Sequence, residues 1–460
     1  MNAPLTPILT QPADDLRDVA QIDIGWHDPL AVASAFADQP YAAVLGSGEA
    51  GWAYVLRDPD TILEIAPGDD RDFRTIFAAV SGRPATAADD PPFQGGWLGL
   101  AAYELSARLE ATAPQDRGTW PDLTAARYPA LLAFHAGQRR GLAIGRGPDA
   151  GVALSRAKAA ATWLTAPDRP ARRGRLALGT ELATSDETHA HAVAQTLSRI
   201  AAGEIFQANL ARPWTGRLAA GATPFDLFRR LSHQSPAPYA AYLRLPGRAV
   251  VSNSPERFLS VRPDAKGLRV WTDPIKGTRP RGTDPIRDQA LAAQLLASPK
   301  DHAENLMIVD LMRNDLARVS VPGSVRVPRL AALNSYANVH HLVSRVEARL
   351  APGRTAWDAF LAAFPPGSVT GAPKLQAMQV IARHEPPRGP YCGSLFWLGI
   401  DGALDASVLI RTVACVEDAE GWAFEARAGG GIVADSDPAE EVAETHAKIS
   451  AILHALTGAA

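Results

Sequence analysis

Apolar positions along the chain change their spacing several times, and each change marks a predicted element. Over residues 41–45 and 51–56 short apolar runs alternate with turn residues, a strand pattern. Residues 92–105 (PFQGGWLGLAAYEL) join a glycine-rich turn to an apolar stretch. From about 187 to 200 the apolar residues fall at helical spacing, and Gly203 ends that helix. Further helices are predicted over 288–296, 302–313, 355–364, 374–383 and 439–456. Strands are predicted over 249–252, 268–271, 341–348, 394–398, 407–416 and 422–428. Helices and strands mix without a regular βαβ alternation, which predicts an α+β architecture. A Pro/Arg/Gly-rich stretch at 167–174 (PDRPARRG) reads as a surface connection.

Composition narrows this picture. A chain of 460 residues, 47% of them hydrophobic, can bury a large core. Its 46 basic and 49 acidic residues leave a net charge of −3 with no like-charge block, so neither nucleic acid nor an anionic membrane is the expected partner. The start, MNAPLTPILTQPADD, lacks the basic-then-apolar order of a secretory signal. No window holds the roughly 18 uninterrupted apolar residues of a membrane span. Two cysteines, Cys392 and Cys415, without CxxC spacing exclude a disulfide scaffold and a cysteine-based zinc site. A cytoplasmic protein is expected.

The segment GGGIVADSDPAEEVAETHAK (429–448) carries the densest chemistry. Three successive glycines after a strand predict a turn, either a plain tight one or one whose bare amides face an anion. Glu441, Glu444 and Lys448 share one helix face, as cation ligands of the oxygen type that Mg²⁺ takes or as a solvated face with a Glu444–Lys448 pair. Asp301 and Glu304, in KDHAENLMIVDLMRND, form a second carboxylate pair, and Glu304 with Glu444 would suffice for Mg²⁺ if the fold brings them together. Arg411 lies mid-strand among apolar residues and needs an anionic partner, either a structural carboxylate or a substrate. Tyr391 could supply a hydroxyl nearby or simply pack. Lys276, in TDPIKGTRPRG, sits in a Pro/Gly-constrained turn with Arg279 and Arg281 close by. It is either an exposed loop lysine or an amine whose pKa those cations lower, which would make it a nucleophile.

Taken together and in order, GEIFQANL (203–210), SNSPERFL (252–259), PIKGTRPRG (274–282), DLMRNDLARV (310–319), HHLVSRV (340–346), GSVTGAPK (367–374) and the 429–448 segment resemble the chorismate-utilising family. That family includes anthranilate synthase component I, aminodeoxychorismate synthase component I, and isochorismate and salicylate synthases. The matches run from about residue 187 to the end, and 92–105 resembles the end of the N-terminal domain of ammonia-using members. The resemblance implies an N-terminal domain over 1–170 and a chorismate-binding catalytic domain over 185–460. It also implies two packed sheets covered by helices. It implies Glu304 and Glu444 as Mg²⁺ ligands, with Asp301 and Glu441 in support. It implies Arg411, Tyr391, Lys448 and the Gly431 amide as holders of substrate carboxylates. It further implies His341 beside the departing hydroxyl and Glu256 as an active-site carboxylate.

Two positions choose a branch. Water-adding members carry a lysine base where this chain has Gln207, and glutamine cannot deprotonate water. Anthranilate synthases resemble PIAGT where this chain reads PIKGT. The expected reaction is amination of chorismate at C4 through a covalent Lys276 intermediate, with ammonia from a separate glutamine amidotransferase. The runner-up is the anthranilate branch; a catalytically silent scaffold would have lost some of these residues. Neither a built-in glutaminase nor a fused lyase is expected. At 42–48 (AAVLGSG) the match to a tryptophan-binding element is partial, with Gly46 intervening, and a structural turn is expected.

Overall fold

The computed structural model describes residues 13–48, 51–74, 77, 89–335 and 339–458. Residues 1–12, on which the reading of a missing secretory signal rests, lie outside them. Among the described residues no helix is long and apolar enough to cross a membrane.

Two antiparallel sheets, of 12 and 10 strands, form the centre. In the larger, strands from the first 150 residues (Asp18–Asp23, Arg140–Gly147, Ala130–His135, Trp52–Leu56, Ala43–Leu45) continue directly into Tyr239–Leu245, Arg248–Ser254, Thr412–Asp418, Gly421–Ile432 and Gln207–Arg217. The smaller mixes them likewise, Gly96–Ala101 pairing with Ser394–Gly399. The segments on either side of 167–174, itself an exposed stretch without regular structure, thus share both sheets. Leu45, Trp52, Tyr54 and Leu243 from one sheet interdigitate with Leu98, Leu100, Tyr128 and Trp397 from the other. Helices cover the outer faces, with Ile449 and Phe225 against the larger sheet and Ile308 and Trp357 against the smaller. The expected α+β arrangement of packed sheets and outer helices is met.

Capping residues set the helix bounds close to expectation. Ser185 caps Asp186–Ala201, Thr355 caps Ala356–Ala363 through a reciprocal box with Asp358, and Asp437 caps Pro438–Thr457. A ring cluster anchors the outer layer of the smaller sheet: Trp357 stacks on Phe360 at 4.9 Å, meets Phe77 at 4.8 Å, and donates its indole N–H to the Phe73 carbonyl. Trp357→Ala should lower unfolding free energy by about 3–5 kcal/mol, because the void it leaves lies among rigid rings; a denaturant midpoint shift under 1 kcal/mol would contradict this.

Four expectations fail, each at a place where the chain approaches another closely. The glycines 429–431 are not a turn. They continue the strand Gly421–Ile432, facing Ala211, Leu210 and Asn209. Side chains are missing there because the neighbours leave no room: a Cβ on Gly429 would meet the Leu210 carbonyl and one on Gly430 the Glu441 carboxylate at 2.5 Å. Lys276 lies in an edge strand, Ile275–Pro280, not a turn, and Gly277 at φ 77° makes a bulge beside it. The strand expected over 407–416 is two strands in different sheets, Leu404–Val408 and Thr412–Asp418. Arg411 sits in the crossover between them at φ 50°.

The turn expected at 42–48 is largely strand instead: Ala43–Leu45 pairs with Ala241–Leu243, and the Gly46 and Gly48 N–H groups continue along the same neighbour by donating to the Ala240 and Pro238 carbonyls. A cavity between the sheets opens beside it, lined by Leu45, Ser47, Tyr239 and Trp397.

Candidate active site

The edge strand Ile275–Pro280, the glycine strand, the helix Pro299–Ala317 and the C-terminal helix bring most of the expected residues together. Lys276 is half-buried, and its Nζ donates to the Ser368 carbonyl at 3.4 Å. Burial lowers its pKa, helped by the charge of Lys448 and opposed by Glu304, Glu256 and Glu444. The cations expected to do this are engaged elsewhere: Arg279 with Asp301 at 3.3 Å, and Arg281 with Asp288 at 2.7 Å. A deprotonated amine is therefore favoured by dryness, not by neighbouring arginines.

Glu256 is buried, and its carboxyl is pushed up by desolvation while the Ser368 hydroxyl and the charges of Lys276 and Lys448 pull it down. His341 is buried across the strand pair from Lys276, its Nδ1 2.9 Å from the Thr278 hydroxyl. Burial and the nearby Arg411 charge lower its pKa, which keeps the imidazole neutral at pH 7. Arg411 is half-buried. Its carbonyl accepts from the Asn253 N–H, but its guanidinium has no ion pair or hydrogen bond among the described residues. Its pKa is lowered by burial alone.

On the C-terminal helix Glu444 and Lys448 form the i,i+4 pair at 2.5 Å, and Lys448 Nζ also donates to the Gly429 carbonyl at 2.9 Å. Glu441 takes the Ser436 hydroxyl on one oxygen, while the other is buried without a partner in the gap that Gly430 leaves. Burial and the Glu444 charge both raise its pKa. Burial likewise raises that of Glu304, on which Glu444 and Asp301 also press. Carboxylates pressed against one another, with Glu441 buried, Glu304 half-buried and Glu444 exposed, fit a cation. Among the described residues no three such side chains converge as a preformed cage; Mg²⁺ commonly uses only one or two and takes water and substrate for the rest. Asp301 pairs with Arg279 at 3.3 Å, as Glu444 does with Lys448 at 2.5 Å, so a cation would share these carboxylates with their basic partners.

Tyr391 is buried beside Arg388, whose guanidinium lies 5.9 Å from its ring, and burial holds its hydroxyl well above the ordinary tyrosine pKa. Gln207 does reach the centre: it is fully buried, neither amide atom has a hydrogen-bond partner among the described residues, and a Cβ on Gly431 would lie 2.8 Å from its Nε2 and 3.6 Å from Lys276 Nζ. Gly431→Ala should therefore fold normally yet lose about 100-fold in kcat/KM, since the methyl would displace the amide before Lys276. Unchanged turnover would show that this gap is unused. Ser368 had no role assigned from sequence, although it lies inside the matched GSVTGAPK segment; only its contacts with Lys276 and Glu256 reveal one.

Other proteins share this sequence pattern and fold. The family described as chorismate binding enzyme matches residues 41–454. Aminodeoxychorismate synthase component 1 of Salmonella typhimurium is 37% identical over 443 residues, covering 91% of this chain and 93% of that protein. Anthranilate synthase component 1 of Thermus thermophilus is 40% identical over 84% of this chain and 81% of its own length. The crystal structure of anthranilate synthase component I from Streptococcus pneumoniae superposes with a TM-score of 0.76 at 27% identity, covering 88% of this chain and 92% of that one. Likeness on this scale, in both sequence and fold, makes the chain a member of the chorismate binding enzyme family.

Proposed function

We propose that this enzyme replaces the C4 hydroxyl of chorismate with ammonia to give 4-amino-4-deoxychorismate, the reaction of aminodeoxychorismate synthase. The observation that carries this is a half-buried lysine amine of lowered pKa, Lys276, facing the gap between Gly431 and Gln207. Chorismate has a conjugated diene linking C2 to C4. A neutral Lys276 amine that bonds to C2 shifts both double bonds and breaks the C4–O bond. The amine gives up its proton, and the hydroxyl leaves as water. Ammonia then bonds to C4 and gives up a proton, the double bonds return, and the C2–N bond breaks as the Lys276 nitrogen takes up a proton. Occupation of C2 by the lysine forces nitrogen to the para position.

His341 would hold the hydroxyl as it departs, and Glu256, on which the Lys276 charge acts, would exchange a proton with that amine. Arg411 and Lys448 would bind the substrate carboxylates. Glu304 and Glu444, with Glu441 in support, would hold Mg²⁺; when bound, the ion anchors and polarises a carboxylate of chorismate. Gln207 supports ammonia over water as nucleophile, because an amide can orient ammonia but cannot deprotonate water. The relatives named component 1 support a partner subunit, here a glutamine amidotransferase that supplies ammonia.

Product chromatography after incubation with chorismate, Mg²⁺ and ammonium salt tests the reading. The para-amino compound is expected, and chelation by EDTA should abolish turnover. Fluorescent anthranilate as product would place the chain in the ortho-aminating branch.

A further inference from the structure

The segment 92–105 lies outside the matched catalytic stretches, yet it places one acidic side chain in the interior. Glu104, in the short turn Tyr103–Leu105, is buried and has no ion pair among the described residues. Its two carboxylate oxygens instead accept two successive backbone amides, Arg388 N–H at 2.6 Å and Gly389 N–H at 3.0 Å. Tyr103 N–H closes the clamp on the Gly389 carbonyl at 2.8 Å. A dry carboxylate satisfied only by backbone is costly to keep, and burial raises its pKa to about 7. A hydrophobic residue of similar size would fill the space but could not hold the two amides.

What the clamp holds is Arg388. Its buried guanidinium packs over the Tyr103 ring at 4.8 Å and pairs with Glu385 at 2.8 Å. The same group donates to the Val369 carbonyl at 3.0 Å and to the Asn209 carbonyl at 2.6 Å. Val369 follows Ser368, whose carbonyl receives Lys276 and whose hydroxyl meets Glu256. Asn209 faces Gly431 across the ladder. One guanidinium therefore ties together the two backbone stretches that flank the reactive amine.

We propose that Glu104 is a positioning residue for Lys276, acting through Arg388: it fixes the Arg388 backbone, and the Arg388 side chain fixes the 368–369 and 209 backbones around the amine. The N-terminal part of the chain thereby sets the geometry of the catalytic lysine. The proposal rests on the reading that Lys276 acts on chorismate.

The test uses the full chain carrying Glu104→Gln, with chorismate, Mg²⁺ and ammonium salt. Glutamine keeps the size and one acceptor but turns an N–H₂ toward the other amide. The expected result is a kcat about tenfold lower with chorismate KM within about twofold, since geometry at the amine changes and substrate contacts do not. Mass spectrometry without ammonia should show the Lys276 adduct forming more slowly by the same factor. Unchanged kcat in folded protein, or a raised KM at constant kcat, would overturn the proposal. If Glu104→Gln does not fold, Arg388→Lys serves: one ammonium cannot span both carbonyls, so the same loss of kcat is expected, and its absence is decisive. A wild-type enzyme that forms no adduct would refute the covalent reading instead, leaving positioning to be judged on the kcat and KM split.

Discussion

Lys276→Ala should lower production of 4-amino-4-deoxychorismate by about three orders of magnitude, with the fold intact and no adduct detectable on the protein. The side chain reaches the site from an edge strand whose backbone alanine can keep, so stability should hardly change. What disappears is the group proposed to occupy C2 before ammonia arrives. The pH profile of the wild type gives the sign of the effect. Burial holds the Lys276 pKa below its ordinary value of 10.5, against the pull of Glu304, Glu256 and Glu444. The neutral, nucleophilic form therefore grows as pH rises, and kcat/KM should climb on its acid side with an apparent pKa below 10.5. Full para-amination by Lys276→Ala would end the covalent mechanism.

Arg411→Ala should raise the chorismate KM by roughly 10- to 100-fold, the scale of one lost charge-assisted hydrogen-bonded pair. The reason is the unusual state of this residue. It occupies the crossover from one sheet to the other, in a left-handed conformation, half-buried, with a guanidinium that no acidic group of the described chain meets. A cation held dry without a counter-ion implies that the anion is supplied from outside. Since φ 50° strains any residue with a Cβ, Arg411→Gly relieves that strain while removing the same charge. It should match or exceed the wild type in thermal midpoint and still show the raised KM, separating binding from folding. A normal KM in both variants would assign Arg411 a structural role.

Much of the helical layer was legible because its signals are local. Ser185, Thr355 and Asp437 accept amides within their own first turns, so the residues that start a helix lie beside it in sequence. The helix Pro224–Gln234 escaped notice even though Thr223 and Asp226 form a capping box, and so did Ala150–Ala161, whose alanine-rich face gives little contrast between apolar and polar positions. The α+β class and the carboxylates of the C-terminal helix were readable from residue type and spacing, whereas Lys276 stayed open between two readings until the family resemblance chose one.

Sequence by itself determined which chemical groups this enzyme owns, and the family to which their order belongs. Only the tertiary structure decided what surrounds them. The glycines 429–431 look like a turn until the strand 207–217 is laid against them, and Lys276 looks exposed until Ser368 and Gly431 close over it. Arg411 looks like a mid-strand residue until its two halves are seen to enter different sheets, and Glu104 has no visible purpose until residues 284 positions away bond to it. Strand pairing, burial and the pKa shifts that follow from them depend on partners remote in the chain, and local spacing carries no record of those partners.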